Sequence, residues 1–184
     1  MKKTLCLLAA MGCVWFGHST VRAGDGSDTN TMRIGVYDSR AVAYAHFSSQ
    51  SYQAKLKERI AAARAAQRSG DTNQLKEMSA ALRAGQDTMD REVFSTAPAV
   101  EALDAMKERI PQIEQQAGVT ALVSKWDEAA LKQYPQAEKV DVTDQLVREF
   151  MQPTDKQAKT IASIIKSKPL PPEQCEELIR KHQL

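Results

Sequence analysis

Residues that usually carry chemistry are scarce in this chain of 184. There are three cysteines, Cys6, Cys13 and Cys175, and three histidines, His18, His46 and His182. No His/Cys grouping has the spacing of a metal site, and neither a glycine-rich phosphate loop nor a nucleophile elbow occurs. Aromatic residues make up 5% of the sequence, so an apolar content of 42% has to build a mainly aliphatic core. Charge of one sign is also missing. A formal net charge of +2 is too small to steer the chain to nucleic acid or an anionic membrane. Long apolar runs are confined to the first residues.

That N-terminal run has a recognisable layout. Lys2 and Lys3 precede "TLCLLAAMGCVWFG", and "VRA" puts small residues at the −3 and −1 positions of a cleavage site after Ala23. This is the order of a secretory signal peptide, over residues 1–23. An uncleaved anchor wants about 20 apolar residues, and His18, Ser19 and Thr20 interrupt first. A lipoprotein attached at Cys13 is a minor alternative, since "AMGC" lacks the usual aliphatic residue three before the cysteine. The expected location is the periplasm, with no stable membrane span once the signal is removed. Without Lys2, Lys3 and Arg22, the chain keeps 22 of its 25 basic residues against 23 acidic ones, close to neutrality. Cys175 then stands alone, either as a bystander thiol or as a bridge between two copies.

Residues 24–31, "GDGSDTNT", read as a polar linker. "MRIGVYDS" follows as a first strand, with Ile34 and Val36 on one face. "RAVAYAHF" supplies small and aromatic side chains to pack beneath a sheet. Over residues 48–94 the period becomes helical. Tyr52, Leu56, Ile60 and Ala63 form one stripe, and Leu75, Met78, Leu82, Gly85, Met89 and Val93 form another. Between them Gly70 can end a helix in the left-handed conformation, and Asp71 or Thr72 can cap the next. The spacing is close to a coiled-coil seam, which predicts an antiparallel hairpin with arms of roughly 33 Å at ~1.5 Å per residue. Met78 and Met89 suit either the seam or adaptable contacts with a partner.

Pro98 breaks the second arm or kinks it. A further helix carries Val100, Leu103, Met106, Ile110 and Ile113, with a bend expected at Pro111 and an end at Gly118. "VTALVSKW" reads as a second strand, Asp127 and Glu128 as a turn, and "AALKQY" as a third strand pairing back. In "KVDVTDQLVREF", Val140 and Val142 alternate like a strand, whereas Leu146, Val147 and Phe150 share a helix face. The Asp-x-Thr-Asp cluster at the switch looks site-like. It reads instead as a junction, with Asp141 or Thr143 as helix cap and Asp144 favourable to the helix dipole. Asp38-Ser39-Arg40 reads as a turn or cap after the first strand. With no shielded carboxylate pair and no base beside a nucleophile, no enzyme, cofactor or metal is expected.

Taken in order, "RIGVYDS", the long helical hairpin, "GVTALVSKWDEA", the tyrosine of "QYP" and "VDVTDQLV" resemble the Skp/OmpH family of periplasmic chaperones, over residues 32–152. The resemblance implies an α+β, predominantly helical fold. Its small body would hold an antiparallel-containing sheet, with a coiled-coil hairpin protruding from it. It further implies a homotrimer that holds unfolded outer-membrane or envelope proteins without ATP. The alternative is a structural or adaptor coiled-coil protein of the cell envelope. Residues 153–184, with "TDKQAKTIASIIKSK" and "PLPP", form a helical, proline-containing extension beyond the resemblance.

Overall fold

The computed structural model describes residues 31–182. The expected signal peptide, its cleavage site after Ala23, Cys13 and all of the linker but Thr31 lie outside the described residues. Three short strands form one sheet: β1 (Arg33–Tyr37), β2 (Leu122–Ser124) and β3 (Glu138–Asp141). β1 is central, and both neighbours run parallel to it, in the order β2-β1-β3. Val36 lies opposite Val123 on one side and Asp141 on the other.

The expected antiparallel pairing is therefore wrong, and the fold is α/β rather than α+β. Parallel neighbours need a crossover connection, and the long helical stretch between β1 and β2 is one. The third element differs as well. "AALKQY" does not pair back as a strand; Glu128–Leu131 form a short helix, α6. Its residues lack β-branching and favour helix. Asp127 caps it, its Oδ1 accepting from the Ala130 amide at 2.9 Å. The chain crosses β1 on the way to β3, so β2 and β3 end up on opposite sides of the first strand.

Helix α1 (Ser39–Phe47) follows β1 and is buried along nearly its whole length. Its alanines at 41, 43 and 45 let neighbours approach from several sides. Helices α2 (Gln50–Ser69) and α3 (Thr72–Phe94) pack on each other through the expected stripes. Gly70 adopts φ 73° between them, and Asp71 caps α3 through Gln74 N at 2.9 Å. The pair is not a hairpin standing free of the body, because both α1 and the last helix pack along α3.

The expected bent helix is two helices, α4 (Val100–Met106) and α5 (Ile110–Ala117), with Pro111 in the first turn of α5. Proline is tolerated there because that amide has no intrahelical acceptor. Gly118 ends α5 at φ 63°. Helix α7 (Thr143–Phe150) lies against α1. Tyr37, Val42, Phe47, Val93, Met106, Ile113, Val142 and Leu146 form the main core.

The C-terminal extension folds back onto this body. Helix α8 (Asp155–Lys166) starts at a capping box of Thr154 and Gln157, and Ile161 packs with Ala41, Ala45 and Val147. The "PLPP" segment is held by backbone bonds. Thr96 N donates to Leu170 O at 3.0 Å, and Leu170 N donates to Phe94 O at 2.9 Å. Helix α9 (Pro172–His182) then runs along α3.

Candidate functional site

All three strands end on the same side of the sheet, where parallel α/β proteins usually place their sites. The residues that follow them meet there. Asp38, after β1, is 1% exposed and accepts from every side. Its Oδ2 lies 2.7 Å from Lys125 Nζ and 3.0 Å from Arg40 Nη2. Its Oδ1 accepts from Arg40 N at 3.1 Å, Arg40 Nε at 3.2 Å and Trp126 Nε1 at 3.3 Å. Arg40, also 1% exposed, reaches past Asp38 to donate to the Ser167 carbonyl and hydroxyl oxygens at 3.1 and 3.2 Å. The Trp126 ring lies under both cations, 4.9 Å from Arg40 Cζ and 4.7 Å from Lys125 Nζ.

The chemistry of this cluster is that of a strut. Burial pushes the Asp38 carboxyl up, but the bonds from Arg40 and Lys125 outweigh it and hold its pKa below the usual range. An ionised carboxylate with five donors has no lone pair left to act as a base. It caps α1, anchors the loop after β2 and, through Arg40, fastens the end of α8. The expectation of a turn or cap at Asp38-Ser39-Arg40 captures the backbone bond but not the ion cluster.

Asp141 Oδ1 accepts from the Thr143 amide at 2.9 Å, at the entrance to α7. The Thr143 hydroxyl points elsewhere and accepts from the Asp38 amide at 3.0 Å, joining the ends of β1 and β3. Asp127 and Glu128 remain on the surface at the start of α6. Cys175 is buried, 3.6 Å from the Asp90 carbonyl oxygen, and burial pushes its thiol pKa up. A bridge between copies through this thiol would require α9 to leave its seat. Among the described residues no group of His, Cys, Asp and Glu is placed to hold a metal, and no helix is long and apolar enough to cross a membrane.

A large recess lies between α3, α8 and α9, with a volume of about 1020 Å³. Its walls are apolar: Val93 and Phe94 from α3, Ile164 from α8, Leu178 and Ile179 from α9, and Leu170 between the last two helices. Phe94 and Leu178 keep 53% and 44% of their surface exposed. Large apolar side chains left open together mark a contact surface more often than isolated ones do. The rim carries both signs, with Arg83 and Lys168 against Asp87 and Asp90. Sequence reasoning missed this groove. Half of it is built by residues 153–184, and Phe94 and Leu178 are 84 positions apart. The helical spacing of Ile161, Ile164 and Ile165 could have shown an apolar face needing cover, though not which helix covers it.

No protein-family model matches the chain, and neither a characterised protein nor a solved structure does. The resemblance to the Skp/OmpH family rests on the order and spacing of its motifs.

Proposed function

We propose that the protein is an exported, non-enzymatic holdase that binds apolar segments of unfolded outer-membrane or envelope proteins without ATP. The observation that carries this reading is the open apolar groove between α3, α8 and α9. Its walls offer area rather than direction: the surface they expose is mainly apolar, so a bound segment is held chiefly by burial of side chains. Such a site tolerates many sequences. Its mixed rim rejects neither acidic nor basic flanks, as a client set of varied charge requires. Release needs no nucleotide, since weak apolar contacts yield by mass action to a tighter partner. We take the active species to be a homotrimer; among the described residues the outer edges of β2 and β3 pair with no further strand of the sheet and leave room for association.

The test is suppression of light scattering when several unrelated unfolded proteins are diluted into the mature chain. Suppression is expected for all of them. Phe94→Asp with Leu178→Asp should weaken it about tenfold or more, because each side chain contributes ~1.5 kcal/mol or more when covered. Equal suppression by the double variant would place client binding elsewhere. Binding of a single folded ligand, with no suppression at all, would favour an envelope adaptor.

A further inference from the structure

We propose that the cleft between α1, α2, α4 and α7, on a different part of the molecule, binds a small organic anion: a carboxylate on an apolar body that carries a hydroxyl group. The cleft has a volume of about 480 Å³, within the range of small-molecule sites. Its inner wall holds His46, whose side chain is 9% exposed. Neither ring nitrogen of His46 has a hydrogen-bond partner. The nearest charged oxygen, on Glu101, is 3.8 Å from Nε2, too far for a hydrogen bond. The rings of Phe47, Tyr52 and Phe150 stand edge-on around it at 5.1, 5.3 and 5.1 Å, fixing the imidazole and shutting out alternative orientations. Buried polar atoms are nearly always satisfied. An imidazole in the wall of a cleft, with both nitrogens buried and unsatisfied, is a group waiting for a ligand.

Charge identifies the other end of that ligand. Lys55 and Arg59 lie one turn apart on α2, exposed at the cleft, and neither makes an ion pair among the described residues. The third cation, Arg109, is already matched by Glu149 at 2.9 Å. Two cations without an ion pair among the described residues therefore stand at the cleft, against the single Glu101 carboxylate, and can pair with a ligand carboxylate. The lining also includes Leu56, Met106 and Phe150, which suit an apolar or planar body. Burial lowers the His46 pKa, so the ring stays neutral near pH 7, with one donor and one acceptor. A hydroxyl group is complementary to either nitrogen.

The experiment uses 4-hydroxybenzoate as probe, titrated into the mature chain with ¹⁵N-labelled histidine at pH 7.5 and followed through the ring nitrogens. His182, remote in sequence on α9, serves as internal reference. A saturable shift is expected at His46 and none at His182. Lys55→Ala with Arg59→Ala should weaken the apparent Kd about tenfold or more, and benzoate, which lacks the hydroxyl, should bind with a smaller shift at His46. Both cations are exposed, so the variant should keep the parent's circular dichroism. No saturable change at His46 up to about 10 mM probe, where even millimolar affinity would show, would overturn the proposal. Unchanged affinity in the double variant would overturn it equally.

Discussion

Asp38 and Glu92 are both buried carboxyl groups, and their surroundings push them in opposite directions. Asp38 has Arg40 and Lys125 against it, and its pKa is lowered. In Asp38→Asn both cations lose their counter-charge inside the fold. Removing one member of such a cluster costs about 3–5 kcal/mol, and the lower figure is expected because Lys125 is a third exposed and can turn outward. Urea unfolding at pH 7 measures this; an unchanged midpoint would mean the strut contributes nothing. A lowered folded-state pKa gives stability that is present above the unfolded value, near 4, and is lost as pH falls through the folded value. The parent should therefore lose more stability below about pH 4 than Asp38→Asn does. Glu92 is the reverse case. Its Oε1 accepts from the Glu101 amide at 3.3 Å, and its Oε2 has no hydrogen-bond partner. Burial, then the Glu101 charge, raises its pKa from 4.5 to about 7. The folded state keeps a proton that the unfolded chain has released, so stability falls as pH rises from 4.5 to 7. Glu92→Gln should match the parent near pH 4 and melt at higher temperature at pH 8. Equal melting at both pH values would show that the carboxyl reaches water.

Among the elements, α8 is the informative one. Its start is legible, since Thr-x-x-Gln before an apolar period is a capping box. Its destination is not legible, because a lone amphipathic helix fits any apolar face. The structure seats Ile161 on the alanines of α1. Ile161→Ala should cost about 2–3 kcal/mol in urea unfolding, as for other buried isoleucines. A loss below about 0.5 kcal/mol would mark α8 as a detachable flap and loosen the groove it lines. The hairpin helices were more legible. Gly70 and Asp71 act locally, so a left-handed stop and a following cap can be read without knowing the neighbours. The short helix α6 shows where local reading fails. The residues of "AALKQY" favour helix by propensity, and the alternating reading of them as a strand gave way because β3 must reach the far side of β1, which leaves the chain to turn and cross first.

For the whole molecule, the proposed trimer is checked by sedimentation equilibrium of the chain from Gly24 to Leu184. A mass three times that of one chain at micromolar concentration is expected; a monomer would remove association through the sheet edges from the account. The sequence by itself determined the elements whose causes are local: β1, the two long helices and their left-handed turn, and the stop at Gly118. It also determined the poverty of catalytic and metal-binding residues. Tertiary structure alone decided the direction of the strands, the meeting of Asp38, Arg40, Lys125 and Trp126, the docking of α8 and α9, and both clefts. Strand direction depends on where a long connection returns the chain, which no short window records. The cluster and the clefts join residues more than a hundred positions apart, as Arg40 and Ser167 are, 127 positions from each other. Their partnership follows from the path of the chain through space, while periodicity and capping report only on neighbours within a turn or two.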